Sequence, residues 1–199
     1  MNIIWHGHSC FEITGKDGTI VFDPYQANSV PGLNSLKLKA NLVLCSHEHD
    51  DHNARNCVEV APKDFKVTFI ETYHDHHQGS HRGKNTIHIV DFEDLKVVHM
   101  GDIGCMMDDI SKLKNCDVLM IPIGGYYTID TKEALKYIER IQPRIVIPMH
   151  YRSHEFGYDV LSTNEEFIQK SSNIVYVDDY LEVHKETKGQ TIVFKKPRN

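Results

Sequence analysis

Short apolar runs broken by Gly, Asn, Asp and Pro punctuate this chain from its first residues, a pattern of strands and turns rather than of long helices. Residues 2–6, 10–14 and 19–23 read as strands joined at His6-Gly7-His8 and at the hairpin signal Gly15-Lys16-Asp17-Gly18, which predicts an antiparallel meander. Pro24 cannot donate to a ladder, so it stops the third run and leaves Asp23 at a strand tip. Residues 25–40 read as a loop bordering a site, 41–45 as a strand, and 53–60 as a short helix. Strands are expected at 66–73, 86–92, 95–100 and 117–123, with a polar loop over 78–85 and a helix near 106–114.

Asp130-Thr131-Lys132-Glu133 has the form of a capping box and opens a helix to about Ile141, with Ala134, Leu135, Ile138 and Ile141 on one face and Pro143 beyond its end. Residues 144–148 form the next strand. Ser162-Thr163-Asn164-Glu165 repeats the capping pattern for a helix to about Ser171, and strands at 173–177 and 190–194 close the chain. No repeat or low-complexity linker divides it, so one domain over 1–199 is expected. A meander followed by strand–helix–strand units predicts an α/β fold of two sheets packed face to face with helices outside.

Composition narrows the function classes. The chain has 199 residues, 40% hydrophobic and 25% charged, with no apolar stretch approaching the roughly 18 residues of a membrane span and no signal-peptide pattern at Met1-Asn2-Ile3-Ile4-Trp5-His6. Five scattered cysteines read as reduced core residues of a cytoplasmic protein. A net charge of −6 disfavours nucleic acid, which needs a basic face, and leaves a small-molecule substrate as the expected partner. The sequence leaves a homo-oligomer open. Fourteen histidines are the outlier.

Several of those histidines fall in Ser46-His47-Glu48-His49-Asp50-Asp51-His52, a His-x-His-x-Asp-His cluster directly after the apolar run 41–45. Imidazole and carboxylate suit zinc, iron and manganese, and this density exceeds what folding requires. One turn cannot complete a metal site, and three more strand ends offer ligands: His74, Asp102 and His150. The expected arrangement has His47, His49 and His74 on one ion, Asp51, His52 and His150 on a second, and Asp102 bridging. Two such ions about 3.5–4 Å apart share a water whose pKa falls from 15.7 toward 7, so Asp51 and Asp102 would hold a bridging hydroxide nucleophile.

The His-x-His-x-Asp-His motif, upstream Asp23, His74, Gly101-Asp102 and Pro148-Met149-His150-Tyr151 resemble the ordered motifs of the metallo-β-lactamase superfamily. Gly7-His8-Ser9-Cys10-Phe11, Phe22-Asp23-Pro24 and Arg82-Gly83-Lys84-Asn85 are similar to its compact Zn-dependent hydrolases related to the ascorbate-6-phosphate lactonase branch. The resemblance implies an αββα sandwich of two mixed β-sheets flanked by helices and two divalent metal ions, zinc first, with manganese or iron as alternatives. It places His74 on the metal at the family's Tyr-His-Asp position, with His77 as the competing ligand.

Further candidates are weighed against plainer roles. His8 is either a turn histidine or a group facing a ligand carboxylate or substrate, and Asp23 either caps the Asp-Pro turn or orients a metal-binding His. Tyr126 and Tyr127 offer a phenol to a developing oxyanion or simple aromatic packing. Arg82, Lys84 and Arg152 flank ligands and would grip phosphate or carboxylate, against ordinary surface charge. His76, His81 and Asp50 read as solvated, and His88, His99, His154 and His184 carry no assigned role. The functional expectation is a metal-dependent hydrolase of a small-molecule ester, lactone or amide. A phosphodiesterase of the same fold, a di-iron redox protein and a non-catalytic metal-binding protein are the alternatives.

Overall fold

The computed structural model describes residues 1–198. The strands are β1 (Asn2–Gly7), β2 (Cys10–Gly15), β3 (Gly18–Phe22), β4 (Leu38–Ala40), β5 (Leu42–Leu44), β6 (Val58–Val60), β7 (Lys66–Tyr73), β8 (Lys84–Phe92), β9 (Leu95–His99) and β10 (Val118–Pro122). Helix α1 (Thr131–Ile141), β11 (Ile145–Met149), helix α2 (Glu165–Lys170), β12 (Ile174–Val177), β13 (Tyr180–Glu182) and β14 (Gln190–Phe194) follow. They form a five-stranded sheet ordered β13-β1-β2-β3-β5, a seven-stranded sheet ordered β12-β14-β11-β10-β9-β8-β7, and the small pair β4-β6.

Alternation along the strands sets the layers. On β2 and β3, Phe11, Ile13, Ile20 and Phe22 face a core shared with Val90, Val97, Leu119 and Ile147 of the larger sheet. Cys10 and Val21 point the other way, into a smaller cluster with Tyr25, Val30, Ala40 and Val58. The two-sheet sandwich thus matches expectation, while the outer face of the smaller sheet is covered by the 25–40 segment and β4-β6. Strands β9, β10, β11 and β14 run parallel and are buried on both faces, hence the unbroken apolar runs Val118–Pro122 and Ile145–Met149.

Helix α1 carries the expected capping box, with Asp130 accepting from the Glu133 N–H and Glu133 reaching back to the Asp130 N–H. It buries Ala134, Tyr137 and Ile141. Three expectations are corrected. Residues 53–60 hold only a 3₁₀ turn, Arg55–Cys57, before the β-branched Val58 and Val60 pair with β4. Residues 106–114 form bends and turns instead of a helix: Arg140 donates to the Met107 and Asp108 carbonyls, which a helix would use for the N–H groups four residues on, and the Met107 N–H donates to the Tyr137 hydroxyl. Ser162 does not cap α2: the helix starts at Glu165 after Asn164, and Ser162 is tied instead to the Gly124 carbonyl through its N–H. The short β13, which sequence patterning did not mark, pairs with β1.

Direction is what positions the site. β1 and β3 each pair antiparallel with β2 and so share a direction, which β5 follows in parallel with β3. In the other sheet β7 and β9 both pair antiparallel with β8, and β10 and β11 run parallel to β9. The residues just past the C-terminal ends of these strands are His8, Asp23, the His47–His52 turn, His74, Asp102, Tyr127 and His150, and they meet along one edge of the sandwich.

Candidate metal centre

Left-handed backbone turns these side chains inward. His8, Asp23 and His150 each follow a strand end at φ 52, 43 and 53°, conformations that cost a non-glycine residue roughly 1–3 kcal/mol and cluster at functional sites. Gly101, at φ 55°, precedes Asp102; a Cβ there would lie 2.4 Å from both the Ser46 Cβ and the Asn85 Oδ1, so only glycine fits.

Asp102 is the hub. Its Oδ2 lies 3.2 Å from His52 Nε2, 3.3 Å from His74 Nε2 and 2.9 Å from His150 Nε2. Ligand-type atoms fall into three groups, each within 4.8 Å: His47, His49 and His74; His8, Asp51, His52 and His150; and His47, His52 and Asp102. The first group and most of the second coincide with the two triads read from the sequence, and Asp102 lies between them. His74, not His77, points into this cluster: His77 is exposed and stacks on His81, with ring centroids 4.2 Å apart.

Beneath the cluster, Asp23 is fully buried. It accepts from the Ser46 N–H at 2.6 Å, from the Ser46 hydroxyl at 2.6 Å and from His52 Nδ1 at 2.9 Å. The Ser46 oxygen lies 2.9 Å from His47 Nδ1, so with its own proton given to Asp23 it accepts from that nitrogen and leaves His47 Nε2 free. Asn85 plays the matching part for Asp102, its Oδ1 accepting the Asp102 N–H at 2.7 Å while its Nδ2 donates to Thr72 and the Met100 carbonyl. Ser46, Asn85 and the buried His99, 4.0 Å from Asp23, escaped sequence reasoning; their positions beside ligand motifs were the available signal.

Electrostatics follow from packing charged groups into a buried cluster. Burial opposes ionisation of Asp102, but the imidazoles of His150 and His52 outweigh it and hold its carboxyl well below the usual range. Burial likewise resists charge on His52, yet Asp102, Asp51 and Asp23 push its imidazole well above the ordinary value. Burial, with a neighbouring histidine, lowers His47 to about 3 and His8 to about 4, so both keep free lone pairs at neutral pH. Buried polar atoms without an aligned hydrogen-bond partner concentrate here: both His8 nitrogens, His47 Nε2, His52 Nε2, His74 Nδ1, His150 Nδ1 and Asp102 Oδ1. Such a set of unsatisfied imidazole and carboxylate donors fits borderline divalent ions.

Other candidates separate by position. Arg82 and Tyr127 line the cleft over the cluster, together with Tyr158, whose hydroxyl lies 2.8 Å from the Ser29 carbonyl and 3.2 Å from Asp51 Oδ2. Tyr126 is corrected to an outside position, 69% exposed. Arg152 does not line this cleft, and its Nε donates to the Leu161 carbonyl at 2.7 Å. Lys84 is exposed and pairs with Glu71, and Asp50 faces solvent. Asp75, next to His74, had no assigned role, yet its carboxylate accepts the N–H groups of His77, Gly79, His81 and Arg82.

A two-sheet sandwich with this strand-end cluster defines a metal-dependent hydrolase of the metallo-β-lactamase superfamily, and the family model described as the beta-lactamase superfamily domain matches residues 2–150. Within that class, the chain belongs to the UPF0173 metal-dependent hydrolases. It is 31% identical to the one from Staphylothermus marinus, over 74% of this chain and 82% of that protein. With that of Thermoplasma acidophilum it shares 29% identity, over 78% and 85% of the two chains. A crystal structure described as a Zn-dependent hydrolase of the superfamily from Thermotoga maritima superposes with a TM-score of 0.79 at 27% identity, covering 97% of each chain. Among the described residues no helix is long and apolar enough to cross a membrane.

Proposed function

We propose that the cluster holds two divalent ions, zinc first, one on His47, His49 and His74 and the other on Asp51, His52 and His150, with Asp102 between them, and that the protein hydrolyses a small-molecule ester, lactone or amide. The observation that carries this reading is the convergence of three imidazole Nε2 atoms on the Asp102 carboxylate, beside a His47 Nε2 that is buried without a hydrogen-bond partner. When bound, such ions supply Lewis acidity and bring a water's pKa toward neutrality.

The chain's own residues supply the rest. Asp23 fixes the ring of His52 directly and that of His47 through Ser46, presenting their Nε2 atoms to the cluster. Asn85 and the Gly101 bend set the orientation of Asp102. The cleft above, about 230 Å³, has room for a small group over the cluster. Five free cysteines support a reducing, cytoplasmic setting.

Metal analysis of the purified protein, paired with His49→Ala and Asp102→Ala, tests the assignment alongside a panel of lactones, esters and bis-p-nitrophenyl phosphate. Both variants are expected to lose metal and activity together. Full metal retention in the variants would overturn the ligand set, and no turnover by zinc- or manganese-loaded protein would overturn the hydrolytic reading.

A further inference from the structure

The cleft over the cluster is lined by His49, Asp51, His74, Asp102, His150 and three further side chains, Arg82, Tyr127 and Tyr158. Arg82 is the permanent cation of that lining. Its guanidinium carbon lies over the Tyr127 ring, 4.1 Å from the centroid, and 5.9 Å from that of Tyr126, cation–π contacts that use none of its N–H groups. Among the described residues the Arg82 guanidinium makes no ion pair and no hydrogen bond, although Asp51 and Asp102 line the same cleft. Nearby cations are spent elsewhere: Lys84 on Glu71, Arg55 on Glu48 and Arg152 on the Leu161 carbonyl.

The segment carrying Arg82 is also held in place. The Asp75 carboxylate accepts the N–H groups of His77 and Gly79 on Oδ1 at 2.7 and 2.9 Å, and those of His81 and Arg82 on Oδ2 at 3.0 and 2.8 Å. The Gly83 N–H closes the turn onto the Gly79 carbonyl at 2.9 Å, and the Gly83 carbonyl accepts from His74 at 3.1 Å. Arg82 therefore projects from a loop tied at its base to the strand end bearing His74. Arg82 and His49 also border a neighbouring cleft along His47 and Glu48, but Tyr127 lines only the one over the cluster, and stacking on it commits the guanidinium to that side. A free, stacked and preorganised guanidinium is how proteins recognise planar or tetrahedral oxyanions.

We propose that Arg82, stacked on Tyr127, binds an anionic oxygen group of the substrate, so that the molecules cleaved here are small esters, lactones or amides bearing a carboxylate or phosphate. This rests on the hydrolytic reading above. Arg82 is a binding residue, and Tyr127 and Asp75 position it.

Two esters of equal chain length separate the charge from the chemistry: p-nitrophenyl hydrogen succinate, which is anionic, and p-nitrophenyl butyrate, which is neutral. The metal-loaded protein is expected to prefer the succinate. Arg82→Met should raise KM for the succinate about 10- to 100-fold, the range of a lost hydrogen-bonded ion contact, and cost the butyrate several-fold less, with the larger effect in KM rather than kcat. Arg82→Lys should recover part of the loss, and metal content should equal that of the parent in both variants. No preference for the succinate, or an equal loss on both esters, would overturn the proposal. Calorimetric titration with methylphosphonate decides the subsite even if neither ester is cleaved, an outcome that counts against the hydrolytic reading alone. Binding by the parent that weakens about tenfold in Arg82→Met supports the oxyanion site, and equal binding refutes it.

Discussion

Asp23 Oδ2 lies 2.9 Å from His52 Nδ1, joining the tip of β3 to the end of the histidine turn beneath the cluster. Because the same carboxylate also takes the Ser46 N–H and hydroxyl, one buried anion sets the orientation of two imidazoles. Asp23→Asn keeps the shape but removes the charge that favours Nδ1–H on His52. Metal affinity, measured by chelator competition, is expected to fall about 10- to 100-fold, as for other residues that orient metal ligands. Unchanged affinity would mean that the pair serves folding alone.

Gly101→Ala places a methyl group 2.4 Å from Ser46 Cβ and Asn85 Oδ1 at a φ of 55°. Both neighbours are buried parts of the hydrogen-bond scaffold, so neither can yield without disturbing Asp23 or Asp102. Thermal denaturation should show a loss of about 1–3 kcal/mol, with weakened metal binding alongside it. A variant with parental stability and metal content would show that the bend tolerates a side chain.

Metal uptake should release protons. Against the cost of burial, Asp102, Asp51 and Asp23 hold the His52 imidazole well above its ordinary value, which favours the protonated ring, whereas a metal ligand must be neutral. Calorimetry in buffers of differing ionisation heat should find about one proton released on this account at pH 7, declining as pH rises through the His52 value. Heats independent of buffer would contradict this linkage.

The Asp75 loop gives a second pH dependence. Burial opposes ionisation of this carboxyl, but four backbone N–H groups, that of Arg82 foremost, bring it down to about 2. Its unfolded value is about 3.9, so the stabilisation is complete above that pH and is lost as pH falls toward 2. The stability difference between the parent and Asp75→Asn is expected to be largest above about pH 4 and to shrink below it. A gap that stays constant from pH 5 to about 2 would exclude the carboxylate as its source.

Much of the sandwich was legible because its strands are short apolar runs with sharp stops, and the strand ends carrying His47, His74, Asp102 and His150 stood out for the same reason. The 106–114 segment misled because Ile110 and Leu113 are buried at helix-like spacing while Tyr137 and Arg140, distant in sequence, claim its backbone. Ser46, Asn85, Asp75 and Tyr158 were missed for a related reason. Their roles consist of hydrogen bonds whose partners only the tertiary fold brings near, as with Tyr158 and Asp51, 107 positions apart.

The shared direction of the strands bears on biosynthesis. His8 and Asp23 emerge first, the His47–His52 turn and His74 later, then Asp102, with His150 last of the set. Its backbone N–H then reaches back to the His8 carbonyl, 3.3 Å away. The cluster is thus completed from both sheets only once His150 has been made, and a nascent chain stalled before that residue would leave an unfinished nest of histidines open to passing ions.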